Sequence, residues 1–366
     1  MKIEIKREEF LNKLIHVAPG LQTKENLEQS GCFFFKNKKV MTYSEGVFCS
    51  MNLGFPEDGE FVVASEKLLA LLQKMPDDLI RLKVTDNLLI VSGVNSERKA
   101  SFPKDSEISP TAGIDRVEKP DKWKTLHSKF CDAILIGSEC AKKSSSYFFL
   151  ICAHVTPKYI ESTDNDQVVR YRIKTGIEED CLLEKSSLVK LAQMMPTKMS
   201  ETESWLHFRN GTGLTFSIKK HPNENFPNVK PVLEMKGTKI KLNKGISLSS
   251  DLASIFTKSP MKGGVSREKI LVSMRKGEME IVGEGSGGTF KEKLKFKYKG
   301  PEFQFTVSPK LFSELTRKTS ECEIEKRKLK VDANNFTYIA CLLDPEAMKK
   351  QLNQEETNEK ESESED

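Results

Sequence analysis

Residues 61–93 read FVVASEKLLALLQKMPDDLIRLKVTDNLLIVSG, and residues 181–218 read CLLEKSSLVKLAQMMPTKMSETESWLHFRNGTGLTFSI. Aligned on their leucines, such as Leu68 and Leu188, and on their Met-Pro pairs, the two stretches stand 120 positions apart. Residues 303–343, FQFTVSPKLFSELTRKTSECEIEKRKLKVDANNFTYIACLL, align with the first stretch at an offset of 243. Self-similarity at a fixed spacing is the signature of a repeat architecture, so the sequence indicates a triplication.

Each copy has the same order of local patterns. A short alternating strand leads to a serine that can cap a helix, then to about ten residues with apolar positions at helical spacing, a breaker and two alternating strands. Sister units begin in the same way, since Phe10 and Leu14 match Phe130 and Ile134, and residues 249–256 open the third. The sequence therefore predicts an α+β fold of six units paired into three similar domains.

The domain boundaries follow from the breakers. Phe102-Pro103 and Phe226-Pro227 each end a strand pattern and lead into a proline-containing stretch, because proline removes a ladder donor and favours extended geometry before it. The predicted divisions are domain 1 at 1–118, domain 2 at 119–234, domain 3 at 235–345, and an acidic, disordered segment at 346–366.

The net charge of +5 conceals an uneven distribution. Segment 346–366 holds eight acids and three lysines, a net of −5, so residues 1–345 carry +10. A body of this charge can approach a polyanion, whereas the segment cannot. The eight cysteines form no C-x-x-C pair, and no apolar run approaches the ~18 residues of a membrane span, which favours a reduced compartment and no membrane partner.

Signatures of catalysis and metal binding are missing from the sequence. The five histidines are dispersed, and no G-x-S-x-G or G-K-[ST] motif is present. Residues 283–288, GEGSGG, suggest a phosphate loop, but the period-2 pattern that follows favours a hairpin. The acids Glu178, Glu179 and Asp180 are typical of a solvated turn. We therefore expect no catalytic residues, no metal and no cofactor.

Five local patterns, taken in order, resemble one family. They are the opening strand and helix IEIKREEFL at 3–11, TDNDQV at 163–168, FPNVKPVL at 226–233, GEMEI at 277–281, and the last strand YIACLL at 338–343. Together they resemble the bacterial sliding clamp, the beta subunit of DNA polymerase III, in a divergent form such as a bacteriophage might encode. The resemblance spans about residues 1–345.

The resemblance implies a DNA-clamp fold in which each domain consists of two β-α-β-β-β units. Two protomers would form a homodimeric ring around double-stranded DNA, with helices inside and antiparallel sheets outside. Lysines on the helix faces would then contact phosphates without reading sequence. The same lysines are equally consistent with solvated helix faces. The candidate DNA contacts are Lys13, Lys67, Lys74, Lys129, Lys190, Lys198, Lys258, Arg317 and Lys318 on helices, and Lys24 in the loop after the first helix.

The resemblance also implies a hydrophobic pocket between the second and third domains, where short motifs of replication proteins dock. Ordinary core packing is the alternative for its aliphatic members. The candidate pocket residues are Phe148, Phe149, Thr163, Asn165, Val168, Pro227, Val232, Ile339, Cys341 and Leu343. This chain has Asn165 and Asp166 where the family has Gly-His, and Pro231 where it has a basic residue, which leaves the partner preference open.

The expected function is that of a DNA polymerase processivity factor, a non-catalytic subunit that tethers the replicative polymerase during DNA replication. The implied partners are double-stranded DNA, that polymerase, an ATP-dependent clamp loader and other clamp-motif proteins, in the cytoplasm of a bacterium or a phage-infected host. Two alternatives stay open: a nucleic-acid-processing enzyme with an unrecognised site, and a clamp-like decoy that binds replication proteins without sliding. The subunit interface is expected near residues 91–102 and 255–271.

Overall fold

The structure is a computed structural model of the 366-residue chain. It forms two compact units, which are described separately: unit 1 comprises Met1–Ser162 and Arg172–Phe226, and unit 2 comprises Thr163–Tyr171 and Pro227–Asp366. The residues described are 2–22, 28–105, 107–109, 113–242, 245–257, 269–285, 287–298, 302–325 and 327–341.

Twenty-four strands and seven α-helices lie in the described ranges. The strands are β1 (Lys2–Lys6), β2 (Cys32–Lys36), β3 (Lys39–Tyr43), β4 (Val47–Asn52), β5 (Phe61–Ala64), β6 (Leu79–Val84), β7 (Leu88–Gly93), β8 (Lys99–Pro103), β9 (Lys124–Thr125), β10 (Cys152–Val155), β11 (Tyr159–Thr163), β12 (Gln167–Arg172), β13 (Cys181–Glu184), β14 (Lys198–Glu201), β15 (Trp205–Arg209), β16 (Thr215–Lys219), β17 (Thr238–Lys241), β18 (Ile270–Arg275), β19 (Glu278–Gly285), β20 (Gly288–Lys295), β21 (Phe303–Val307), β22 (Glu321–Glu325), β23 (Lys328–Asp332) and β24 (Phe336–Cys341). The helices are α1 (Arg7–Val17), α2 (Ser65–Lys74), α3 (Phe130–Gly137), α4 (Lys185–Met194), α5 (Lys230–Leu233), α6 (Gly245–Phe256) and α7 (Pro309–Lys318).

The element order repeats six times. Each of α1, α2, α3, α4, α6 and α7 follows one strand and precedes three, so the chain consists of six β-α-β-β-β units, with α5 in a connector. Helices α2 and α4 begin and end 120 positions apart, at the spacing of the sequence repeat. The six helices pack in pairs, α1 with α2, α3 with α4, and α6 with α7. The predicted α+β fold of paired β-α-β-β-β units is confirmed.

Unit 1 contains antiparallel sheets. One has four strands in the order β1-β6-β7-β8, and one has eight in the order β5-β2-β3-β4-β16-β15-β14-β9. Strands β13, β10 and β11 form a further ladder. In the eight-stranded sheet, β4 pairs with β16, which joins strands that the sequence places in predicted domains 1 and 2.

Unit 2 is built in the same way. Its strands follow the orders β12-β24-β23-β22-β17 and β20-β19-β18-β21, all antiparallel. Here β12 pairs with β24, joining strands from predicted domains 2 and 3. The division into three domains stays a prediction, because these ladders run across its boundaries.

A tight aromatic cluster fills the eight-stranded sheet of unit 1. Tyr43 and Trp205 are buried, with ring centroids 6.3 Å apart, and Phe34 and Ile114 pack in the same cluster. Gly113 has a φ of 81°, and a Cβ on it would lie 2.8 Å from the Tyr43 ring. A side chain there would meet both backbone strain and a clash, so glycine is required.

The glycine-rich stretch at 283–288 serves packing. Gly283 and Gly285 lie in β19, where a Cβ would collide with the carbonyl oxygens of Ala253 and Phe256 on α6. Gly285 pairs with Gly288 across a tight hairpin between β19 and β20. The stretch is therefore a hairpin under a close helix, as its period-2 pattern predicts.

Two further findings concern the chain as a whole. None of the helices in the described ranges has the length and apolar character needed to cross a bilayer. The eight cysteines all lie in described positions, and no disulfide links them.

Candidate nucleic-acid and peptide-binding surfaces

The sequence analysis predicts that a polyanion would meet the chain at the exposed faces of the helices. On α2, Lys67 and Lys74 are exposed and seven residues apart, which places them on one face of the helix. Within the described part of the chain, no carboxylate forms an ion pair with either lysine. Helix α2 therefore presents two exposed ammonium groups, and their contact with DNA stays a prediction.

Two other lysines that were predicted to contact DNA already form hydrogen bonds within unit 1. Lys13 donates to Glu9 Oε1 at 2.7 Å and to the Leu53 carbonyl at 2.9 Å, and its hydrogen bond and charge hold the pKa of Glu9 below the ordinary value. Lys190 donates to the Pro19 carbonyl at 2.8 Å. Since both ammonium groups already serve as hydrogen-bond donors inside the protein, they are weaker candidates for phosphates.

The remaining predicted contacts differ in place. Lys129 is exposed at the N-cap of α3, and Lys198 is exposed but lies in β14, so its prediction as a helix residue is wrong. The breaker Met195-Pro196 ends α4 at Met194, four residues before Lys198. On α7, Arg317 forms an ion pair with Asp251 of α6, and both side chains are largely exposed.

Three predicted contacts cannot be placed. Lys24 and Lys258 lie outside the described residues, and Lys318 lies in α7 without a described side chain.

Several other exposed positions on these helices are acidic or apolar. Helix α1 exposes Glu8, Glu9 and Ile15, the last 45% exposed, and α3 exposes Leu135 at 43%. Leu248 and its neighbours at one-turn spacing leave an apolar stripe on α6. The helix faces thus carry a few available cations rather than a continuous basic surface.

The predicted peptide pocket is represented in unit 2 by the turn before β12. Thr163 Oγ1 donates to the Gln167 carbonyl at 2.7 Å and accepts from the Asn165 amide at 3.2 Å. Asp164 Oδ1 accepts from the amides of Asp166 and Gln167 at 3.0 and 2.7 Å. Asn165 has a φ of 79°, in the left-handed region that glycine tolerates best and asparagine next.

The strand pair beyond this turn is partly core and partly surface. Val168 and Ile339 face each other across β12 and β24 and are buried, whereas Cys341 at the end of β24 is exposed. Burial and the neighbouring Asp166 raise the pKa of the Cys341 thiol. Val168 and Ile339 therefore support the surface from beneath, and Cys341 is the predicted residue that a ligand would touch.

The connector supplies the next two predicted residues. Pro227 is exposed, and Val232 is half-buried in α5, which packs against β24. Leu343 lies outside the described residues. In unit 2 the structure thus places Cys341 at the end of β24, with the turn of Thr163 and Asn165 and helix α5 with Val232 adjoining this strand.

Phe148 and Phe149 belong to unit 1, in a short 3-10 turn. Phe148 is 39% exposed and meets the His221 ring edge-on at 4.6 Å, and burial lowers the pKa of His221. Tyr147, which the sequence analysis missed, is 64% exposed. Three aromatic residues in a row after a serine run were the available signal for it.

The sequence analysis also missed Gln167 and Tyr338. Tyr338 Oη donates to Gln167 Oε1 at 2.6 Å and ties the turn to the last strand. Neither residue type stands out in a strand pattern, so the sequence held no signal for this bond.

Across the described residues, no three His, Cys, Asp or Glu side chains are grouped closely enough to hold a metal ion.

Comparison with known proteins shows which proteins share the fold of this chain. Neither a family model nor a curated protein sequence matches the chain. The DNA polymerase III subunit beta of Pseudomonas aeruginosa is similar in structure, with a TM-score of 0.75 and 16% identity over 94% of this chain and 100% of that chain. The chain has the fold of a DNA polymerase III beta subunit.

Two further beta subunits agree. The Streptococcus pneumoniae DNA polymerase III beta chain matches with a TM-score of 0.76 and 12% identity, covering 94% of this chain and 99% of that one. The Caulobacter crescentus pol III beta matches with the same TM-score and identity, covering 94% and 100%. The beta-subunit fold is thus shared over nearly the whole length of the chain, at identities of 12–16%.

Proposed function

We propose that this protein is a DNA polymerase processivity factor, a non-catalytic sliding clamp that encircles duplex DNA and tethers the replicative polymerase. The supporting fold is that of beta subunits over 94% of the chain. The proposed partners are double-stranded DNA, the polymerase, other proteins with clamp-binding motifs and an ATP-dependent loader that opens the ring. The proposed place of action is the cytoplasm of a bacterium or of a phage-infected host.

One observation carries the ring. The six β-α-β-β-β units end in strands β4, β8, β12, β16, β20 and β24. The chain pairs four of these, β4 with β16 and β12 with β24, each joining a first-half unit to the second-half unit of the next predicted domain. The same rule would pair β20 with β8. Each is the outermost strand of its own four-stranded sheet.

A second copy supplies the missing partner for each edge. If β20 of one protomer pairs with β8 of the other, and the reverse, two copies close head to tail into a ring without leaving an open edge of this series. This places the proposed interface at β8, which overlaps the expected 91–102 range, and at β20. Of the expected 255–271 range, Ile270 and Leu271 lie in β18, which is an inner strand between β19 and β21, and residues 258–268 lie outside the described residues.

The ring is tested by topology. On closed circular DNA, with a compatible ATP-dependent loader, the protein should stay bound in high salt and be released when the circle is cut, because a ring is held by linkage and not by contacts. Its solution mass should be twice that of the 41.5 kDa chain. A stably monomeric protein at micromolar concentration, with or without DNA, would refute the ring.

The DNA-facing side is tested on α2. Reversing Lys67 and Lys74 to Glu should weaken DNA binding and reduce the slope of log affinity against log salt by roughly 2, since each phosphate contact contributes about 0.9. Reversing Lys239 and Lys241, exposed lysines on β17, is the matched control and should leave the slope unchanged.

A second candidate is a clamp-like module that binds replication proteins without sliding. It is favoured by the acidic and apolar side chains on the helix faces, such as Glu8, Glu9 and Leu135. In that case clamp-binding peptides would bind, Cys341→Asp would abolish their binding, and DNA would not be retained by either protein. Retention on circles but not on linear DNA excludes this candidate.

A further inference from the structure

The outer face of the four-stranded sheet of unit 1 is strongly basic. Alternate residues of its strands point away from the core, and they place five cations on one face: Lys2, Lys6, Arg81, Lys83 and Lys99. Glu4 is the acid on this face, paired with Arg81 at 2.7 Å. These six residues are called the basic sheet face.

Four of the five cations of the basic sheet face are not neutralised locally. No described carboxylate lies within ion-pair distance of Lys2, Lys6, Lys83 or Lys99. Lys2 and Lys83 are even direct cross-strand partners, an arrangement of like charges that disfavours the sheet. The nearby acids Asp78, Asp86 and Glu97 stand in the turns at the ends of the strands. Such a face gains stability from an anionic ligand.

The four-stranded sheet of unit 2 provides the contrast. It too exposes lysines, but Lys291 pairs with Glu280 at 3.1 Å and Lys293 with Glu278 at 3.0 Å, across the β19–β20 ladder. The sequence thus places acids beside the lysines of β20 in one sheet, whereas Glu4 is the single acid on the basic sheet face of the other. The uncompensated charge of the first sheet is specific to that face.

Apolar side chains separate the lysines. Leu79 is 36% exposed, and Leu88 and Ile90 are half-buried on the same face, with Ile90 directly beside Lys83 in the register. A phosphate backbone makes no use of such groups. An acidic polypeptide that also carries a few apolar residues matches both features of the face.

The chain itself contains such a polypeptide. Segment 346–366 carries a net charge of −5 and includes Met348 and Leu352 ahead of the seven acids of 355–366. The 25 residues that follow Cys341 can span about 80 Å when extended, well beyond the ~30 Å diameter of a small domain. Reach and charge therefore both permit the segment to meet the face.

We propose that segment 346–366 docks on the basic sheet face of its own polypeptide, with its acids on Lys2, Lys83 and Lys99 and its apolar residues beside Ile90. The contact is electrostatic and salt-sensitive. It keeps the polyanion-binding charge of this face from competing with the helix faces, so that nucleic acid meets the chain on the helices. The proposal does not depend on ring formation.

Limited proteolysis of the full-length protein tests the contact. Trypsin cleaves after Lys360, within the segment, and docking should slow that cleavage. Reversing Lys2, Lys83 and Lys99 to Glu should accelerate it about tenfold, the effect of losing roughly 1.4 kcal/mol of docking. Raising the salt to 1 M should have the same effect on the unaltered protein, because screening then acts within about 3 Å.

The matched control reverses Lys67, Lys74 and Lys129, which are also exposed lysines of unit 1, and should leave the cleavage rate unchanged. A triple Gln variant of the face, which adds no new charge, should give a smaller acceleration in the same direction. Equal cleavage rates in the face variants and the control would overturn the proposal.

Zero-length carbodiimide cross-linking locates the contact. Mass spectrometry should find acids of 355–366 joined to Lys2, Lys83 or Lys99. In a mixture of isotope-labelled and unlabelled protein, cross-links between different copies would overturn docking on the same polypeptide. If reversing the face lowered the affinity for a short DNA duplex as much as it released the segment, the face would be a nucleic-acid surface and the proposal would fail.

Discussion

The strand pairs β4–β16 and β12–β24 occupy the same place in the repeat but have different surroundings. In the first, Cys49 and Phe216 pair at the centre and are fully buried, and the two pairs that follow, Phe48 with Ser217 and Val47 with Ile218, are buried too. In the second, Val168 and Ile339 are buried, but the polar turn of Thr163 and exposed Cys341 lie together at one end of the strand pair. The β4–β16 pair, called the sealed junction, is enclosed in the hydrophobic core. The β12–β24 pair, called the open junction, is exposed at one end.

The comparison teaches that one repeated connection can serve two purposes. At the β4–β16 junction, polar side chains form internal hydrogen bonds, such as that between His207 Nδ1 and Ser217 Oγ at 2.8 Å. The β12–β24 junction keeps its polar groups in a turn at its end, where a ligand can approach. We therefore expect the first to control stability and the second to control binding.

Truncating the centre of the sealed junction should have the largest effect. Phe216→Ala should lower the free energy of unfolding by about 3–5 kcal/mol, because it removes a fully buried ring from a packed core. Val168→Ala at the open junction should cost about 1.6 kcal/mol, the transfer free energy of two methylene-sized groups. Native-state hydrogen exchange of the β4, β16, β12 and β24 amides measures both effects.

Phe148→Ala, at a half-exposed ring, is the control and should change protection little. Equal losses of protection in Phe216→Ala and Val168→Ala would show that the two junctions do not differ in the way proposed.

Acid should weaken the sealed junction. Burial lowers the pKa of His207 from 6.5 to about 4, while the charge of Glu118 opposes this. Because the folded pKa lies below the unfolded one, the neutral histidine stabilises the fold above pH 6.5, and this stability is lost as the pH falls toward 4. The loss should be about 3 kcal/mol, at 1.36 kcal/mol for each pKa unit.

The measurement compares the protein with His207→Gln in denaturant at several pH values. The unaltered protein should lose about 3 kcal/mol more than the variant between pH 6.5 and pH 4. Parallel pH profiles would show that His207 does not titrate with unfolding.

The repeat explains why the fold was predictable and part of the site was not. The 120-residue spacing determines where α2 and α4 begin, and local patterns of apolar residues determine their buried faces. Such signals lie within a few neighbouring residues. The prediction of the α+β fold therefore needed the repeat and these local patterns but no knowledge of contacts between distant residues, and the clamp fold was implied by the family resemblance.

The use of each lysine depends on contacts that are distant in sequence. Lys13 is occupied by the Leu53 carbonyl, forty residues away, and Lys190 by the Pro19 carbonyl, 171 residues away. Lys198 comes shortly after a helical pattern in the sequence but lies in β14, because the breaker at Met195-Pro196 ends the helix before it. Sequence identifies a lysine, whereas only the fold shows whether its charge is available.

The turn at the open junction should be sensitive to backbone conformation. Asn165→Ala should cost about 1 kcal/mol, because an alanine Cβ is strained at a φ of 79°, whereas Asn165→Gly should be nearly neutral. Hydrogen exchange of the Asp166 and Gln167 amides, which Asp164 holds, reports the local loss. Equal protection in the Ala and Gly variants would contradict this account of the turn.

The smallest effect concerns the reactivity of Cys341. Although this residue is exposed, burial of its sulfur and the charge of Asp166 raise the thiol pKa, so less thiolate is present near neutral pH and alkylation should be slower than for a free thiol. Asp166→Asn should accelerate alkylation by iodoacetamide a few-fold, because it removes one of the groups that disfavour the thiolate. Asp132→Asn, which removes the acid beside Cys131 in unit 1, is the matched control and should leave the Cys341 rate unchanged. If alkylated protein still bound clamp-binding peptides at full affinity, the open end of β24 would not be where they dock.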